Sequence, residues 1–187
     1  MYPATNPQLP NQLETDRLIL RSPRPGDGRI INEAVRETFT ALTRWMPWAK
    51  TMPSLDETEN YARDSWVHFN AQEDYPLLLF DKLTGEFIGS SGLHPRDWGV
   101  PKFETGYWIR ASREGQGLIT EAVNGLTRVA FEILQAQRMI IRCDARNTRS
   151  AAVAERAGYV LEARFRNDIR DNAGELQDIL QYVKFPD

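Results

Sequence analysis

The stretch Gly106 to Ala122 reads GYWIRASREGQGLITEA, and its residue types suit the holding of an anion. Tyr107, Trp108 and Ile109 read as a strand, Gly115 and Gly117 as a turn, and a helical period then runs to about Leu134. The first N–H groups of such a helix have no intrahelical partner, and its start carries about half a positive charge, so phosphate oxygens can satisfy both. Glycine permits the close approach and positive φ that such a loop needs. The same two glycines also suit an ordinary strand-to-helix turn, so the motif alone leaves both readings open. Cys143, the single cysteine, has no histidine near it in sequence to draw off its proton. It is read as a small buried strand residue and not as an acyl-carrying nucleophile. His68 and His94 lack metal-ligand spacing, so no metal is expected.

The elements that must position this loop follow from periodicity. Thr15 to Ser22 reads as a strand and Arg29 to Trp45 as a helix. Ser54 with Glu57 three residues later predicts a capping box that opens a helix through Phe69. Asp56, Glu57, Glu59 and Asp64 crowd that helix start, either complementing its dipole or attracting a cationic substrate. Tyr75 to Asp81 and Glu86 to Leu93 read as hairpin strands, His94 to Pro101 as an irregular connection, and Phe103 to Ile109 as one further strand entering the loop. Beyond the loop helix come a strand at Arg138 to Ala145 and a short helix, SAAVAERAGY, closed by Gly158. Two last strands, about Val160 to Arg166 and Leu176 to Phe185, are joined by a loop from Asn167 to Gly174. This order predicts an α/β (α+β) chain with a mixed sheet and helices on its faces.

A chain of 187 residues, 41% apolar, suits one compact domain, expected over residues 14–187 behind a flexible lead-in at 1–13. One cysteine fits a reducing compartment, and no run reaches transmembrane length, so a soluble cytoplasmic protein without a membrane partner is expected. Net charge is −3, yet residues 101–170 hold 12 Lys and Arg against 8 Asp and Glu. A bulk charge near zero argues against nucleic acid as a partner, while a local arginine excess suits a small polyanion.

Three features stand in order: the loop Glu114-Gly115-Gln116-Gly117-Leu118-Ile119-Thr120, then Asn147 and Ser150 after the next strand, then the helix end Glu155-Arg156-Ala157-Gly158-Tyr159. Together they resemble the GNAT superfamily of acetyl-CoA-dependent N-acetyltransferases, and within it the RimJ/RimL-like ribosomal-protein branch. The resemblance implies a mixed, mostly antiparallel central sheet flanked by helices, with two central strands splayed apart. It implies acetyl-CoA as co-substrate, its diphosphate on the N–H groups of Gly115, Gln116, Gly117, Leu118, Ile119 and Thr120. The main chain of the strand Tyr107 to Arg110, at Trp108, Ile109 and Arg110 in particular, would meet the pantetheine amides. Asn147 would bond the pantetheine arm or the acceptor, and Ser150 would protonate the departing thiolate; the type of Ser150 also suits a helix N-cap. Glu114 and Ile119 depart from the family's usual loop residues, and Arg113 is the candidate to offset the carboxylate of Glu114.

The implied reaction is direct attack of a neutral amine on the thioester carbonyl, with a main-chain N–H of the central strand facing the developing oxyanion. At pH 7 an α-amine of pKa about 7.8 is about 14% neutral and a lysine of pKa about 10.4 about 0.04%, a difference of about 3.5 kcal/mol. A modest base therefore serves an α-amine, with Glu104 and Asp168 as candidates. Trp45 and Trp48 are candidate walls of the acceptor cleft. The expected acceptor is a protein or peptide N-terminus. The alternatives are a small amine, such as a polyamine, amino acid or aminoglycoside, and a non-catalytic acyl-CoA-binding module. Oligomeric state is left open, a homodimer included.

Overall fold

The computed structural model describes residues 8–186. One nine-stranded sheet runs in the order β1-β2-β3-β4-β5-β7-β9-β8, and β6 pairs with β4 outside that path. Its strands are β1 (Gln12–Glu14), β2 (Leu18–Arg21), β3 (Tyr75–Asp81), β4 (Phe87–Asp97), β5 (Lys102–Glu104), β6 (Tyr107–Ile109), β7 (Arg138–Asp144), β8 (Val160–Arg170) and β9 (Leu176–Lys184). Among the described residues only β5 and β7 pair in parallel, so the expected mixed and mostly antiparallel sheet forms.

The helices are α1 (Gly28–Trp45), α2 (Leu55–Asn70), α3 (Leu118–Glu132) and α4 (Thr148–Arg156). Alternation along β3 sends Leu77 and Leu79 into one core with Leu118, Val123 and Leu126 of α3. Leu78 enters a second core with Ile31, Val35 and Leu42 of α1 and Ala62 of α2. Burying one such leucine contributes about 1.5–3 kcal/mol, enough to fix each helix on its face.

The strand expected over Phe103 to Ile109 is two strands, and this correction creates the cleft. Thr105 still donates its N–H to the Ile140 carbonyl of β7 at 2.9 Å, whereas the Gly106 carbonyl accepts the Ser91 hydroxyl at 2.8 Å. From there β6 follows β4 while β7 continues alongside β9. The two central strands part, leaving one edge of β6 without a neighbouring strand among the described residues.

Other boundaries differ from the periodicity. Residues 1–7 of the expected lead-in lie outside the described residues, but Leu9 is buried at 1% exposure and Gln12 and Leu13 belong to β1. β4 extends to Asp97, into the segment read as irregular, whereas Trp98 to Pro101 is a turn. β8 continues to Arg170 past a register shift between Phe165 and Ile169, where Asn167 takes φ 51°, so Asp168 is a strand residue and not part of a loop. No helix among the described residues is long and apolar enough to cross a membrane.

Candidate active site

Gly115 and Gly117 adopt φ 75° and 76°, the left-handed conformation in which a side chain is strained. Gly117 is the N-cap of α3 and supplies no side-chain cap. The N–H groups of Gly115, Gln116, Gly117, Leu118, Ile119 and Thr120 have no protein acceptor among the described residues; the first N–H of α3 to bond back is that of Glu121, to Gly117. Leu118 and Ile119 are buried in the core beneath α3 and also line the cleft. The turn before the loop is held from α1: Glu37 accepts the Ser112 N–H and hydroxyl at 3.0 and 2.7 Å, and Thr38 accepts the Ala111 N–H at 3.1 Å.

The Arg110 N–H donates to Ile88 at 2.8 Å, and Ile109 pairs with Gly89 in the register. Antiparallel alternation then turns the main-chain groups of Trp108 toward β4 and those of Tyr107 and Ile109 toward the gap. Trp108 is the contact to β4 rather than to the gap, and its ring packs on Phe87 and Trp48. The Arg110 side chain is bound by Glu37 and Glu86.

On the other wall, Asn147 is the N-cap of α4, its Oδ1 accepting the Ser150 N–H at 3.1 Å. Ser150 is therefore not the cap its type suggested. Its hydroxyl lies 3.1 Å from the Tyr107 hydroxyl, which also donates to the Ser150 carbonyl. Burial pushes the Tyr107 phenol above its usual range and the Cys143 thiol likewise, so both stay protonated near neutral pH. A protonated, buried Cys143 is no nucleophile.

These groups line one cleft of about 850 Å³, which continues between the end of α1 and the β8–β9 hairpin. There Asn172 donates to the carbonyls of Thr43 and Met46 at 2.8 and 3.0 Å, clasping hairpin to helix. Trp45 lines this end, whereas Trp98 packs on Phe103.

The candidate bases are engaged. Glu104 lines the cleft but pairs with Arg96 at 3.1 Å, and Asp168 is off the cleft wall, paired with Arg142. Asp144 and Asp171 share Arg146. Glu114 is taken by Arg149, and Arg113, expected to offset it, pairs instead with Asp81 and Glu86 at 2.7 and 3.0 Å. The β3–β4 hairpin offers Arg113 two carboxylates at its own side, whereas α4 reaches across to Glu114. The acidic run Asp56 to Asp64 lies on α2, away from the cleft; Glu59 accepts the N–H groups of Gly26 and Gly28, and Glu57 completes the expected capping box. His68 and His94 pair with Glu73 and Asp74, and no cluster of metal-ligating residues exists among the described residues.

An open strand edge, a bare helix start and a hydroxyl between them line one slot. The family model described as acetyltransferase (GNAT) domain matches residues 17–160. The chain belongs to the GNAT acetyltransferase family. It is an N-acetyltransferase by that membership, with acetyl-CoA as co-substrate. Among GNAT relatives, the ribosomal-protein-serine acetyltransferase of Escherichia coli (strain K12) is 36% identical over 71% of this chain and 76% of its own. YdaF of Bacillus subtilis (strain 168), named provisionally as a ribosomal N-acetyltransferase, is 30% identical over 89% of this chain and 90% of its own. The GNAT fold of the microcin C7 self-immunity acetyltransferase MccE, solved with acetyl-CoA and AMP, superposes with a TM-score of 0.87 at 20% identity, covering 95% of this chain and 98% of that one.

Two contributors to this GNAT site were not among the sequence candidates. Tyr107 was read for its main chain, although strand alternation already put its side chain opposite that of Trp108. Asn172 meets α1 across 129 residues of sequence, a contact that no local pattern encodes.

Proposed function

We propose that the protein acetylates the α-amine of a protein or peptide chain of the ribosomal-protein kind, as a single domain acting in the cytoplasm. One observation carries the choice of acceptor. Every carboxylate lining the cleft (Glu104, Glu114, Asp144 and Asp171) is ion-paired with an arginine, and no histidine lines it. Such a cleft has no strong base, so it suits an amine that is appreciably neutral on its own, an α-amine and not a lysine or polyamine nitrogen. The ribosomal-protein relatives agree with this reading. The acidic run that favoured a polycation caps helices elsewhere.

The thioester supplies the activated acetyl group; the rest falls to the chain. The bare amides of Gly115 to Thr120 bind the diphosphate, and the outward N–H and C=O groups of Tyr107 and Ile109 pair with the pantetheine amides as an added strand would. An N–H of the same edge faces the charge developing on the carbonyl oxygen. Tyr107 donates to the Ser150 carbonyl and so fixes that residue, and the Ser150 hydroxyl gives its proton to the departing sulfur and is reprotonated from solvent. The amine enters neutral and loses its proton to solvent after attack.

Thiol release measured on peptides with a free N-terminus, the same peptides blocked at the N-terminus, and polyamines tests the reading. Turnover is expected only with the free α-amine, kcat/KM rising through its pKa near about 7.8. Equal turnover of polyamines or of blocked, lysine-containing peptides overturns it. Ser150→Ala should lower kcat about 100-fold with acetyl-CoA affinity unchanged.

A further inference from the structure

Four arginines reach the glycine loop, and three are committed. Arg17 pairs with Glu121 at 2.6 Å, Arg113 with Asp81 at 2.7 Å, and Arg149 with Glu114. Arg156, in the last turn of α4, has no carboxylate partner among the described residues. Its exposed side chain lines the cleft, and its Nε lies 3.4 Å from the hydroxyl of Thr120. The neighbouring carboxylates do not compete for it: Glu121 is held by Thr15 and Arg17, and Glu155 accepts from the Tyr182 hydroxyl.

We propose that Arg156, with the Thr120 hydroxyl beside it, receives the phosphate monoester on the ribose of the co-substrate, so that the protein distinguishes coenzyme A from its 3′-dephospho form. The inference rests on the loop binding acetyl-CoA. A diphosphate linkage already has bare amides and a helix dipole to hold it and does not need a free cation. A monoester is different: with a second pKa near about 6 it carries close to two negative charges at neutral pH, and its terminal oxygens match the forked donors of a guanidinium. Position points the same way. Ser150 marks the sulfur end of the slot, and Arg156 stands six residues, about 9 Å, farther along α4. It reaches α3 at Thr120, where the part of the ligand beyond the diphosphate must leave the cleft.

Calorimetric titration of the wild type, Arg156→Ala and Arg156→Lys with coenzyme A and with dephospho-coenzyme A tests this without any turnover. The wild type should bind coenzyme A about tenfold or more tighter than the dephospho form, as one charge-assisted contact implies. Arg156→Ala should lose that margin for coenzyme A and bind the dephospho form as the wild type does, and Arg156→Lys should keep part of it. Because Arg156 is exposed, the melting midpoint of both variants should match that of the wild type. Equal losses for both ligands would assign Arg156 to the diphosphate and overturn the proposal, as would no loss at all. A wild type that binds neither ligand would remove the co-substrate reading itself.

Discussion

The starts of α3 and α4 face the same cleft and are finished in opposite ways. At α4 the Asn147 side chain accepts the Ser150 N–H, and the helix is capped by its own sequence. At α3 a left-handed Gly117 offers no side chain, and six successive amides stay bare. The remaining helices resemble α4: α2 has a complete capping box, and α1 borrows the Glu59 carboxylate. Unsatisfied donors cost about 1–3 kcal/mol each where water cannot reach them, so a fold tolerates a bare helix start only where solvent or a ligand meets it. Carboxylates near α3 are also drawn away from those amides, Glu121 by Thr15 and Arg17 and Glu114 by Arg149. Three helix starts are satisfied by side chains of the protein, and one is left open.

The contrast can be broken most forcefully at Gly117. Gly117→Ala forces a Cβ into the left-handed region at a cost of about 1–2 kcal/mol and shifts the amides that precede α3. We expect acetyl-CoA affinity to fall at least about tenfold by titration, while the melting midpoint drops roughly 2–8 °C. Unchanged affinity would mean the bare amides are not the anion site. Ser54→Ala is the counterpart at a satisfied helix start. It should lower stability by about 1 kcal/mol, roughly 2–4 °C in melting midpoint, and leave acetyl-CoA affinity unaltered; a loss of affinity would erase the distinction between the two kinds of terminus.

The smallest effect is in pH. Main-chain bonds from Ser54 hold Glu57, and those from Gly26 hold Glu59, below the ordinary carboxylate range. A lowered folded pKa adds stability that is complete above the unfolded value of about 4.3 and is lost as pH falls through the folded one. Melting midpoints should therefore fall below about pH 4.3, and Glu59→Gln should make that fall shallower. An identical slope in the variant would show that Glu59 contributes nothing through its charge.

Much of this was legible in the chain itself. Hydrophobic period gave the helices and most strands to within a few residues, because burial on one face is a local pattern. Ser54 and Glu57 announced their capping box, and the glycine spacing announced the bare turn, since both depend on neighbours within a few positions. The break between β5 and β6 was not legible: Phe103 to Ile109 alternates as one strand, and only competition between Ile140 on one side and Ser91 on the other divides it. Nor could charge partners be read. Arg113, Glu104 and Asp168 looked available in sequence and are each held by a residue at least eight positions away.

The sequence by itself determined which segments are helical or extended, where a helix would begin uncapped, and that an anion could sit there. Tertiary structure alone decided that Tyr107 meets Ser150, that Asn172 closes the hairpin onto α1, and which arginine near the loop stays free. The reason is range: caps, turns and periodicity are set by residues a few positions apart, whereas hydrogen bonds and ion pairs across a cleft depend on where the packed cores bring distant strands.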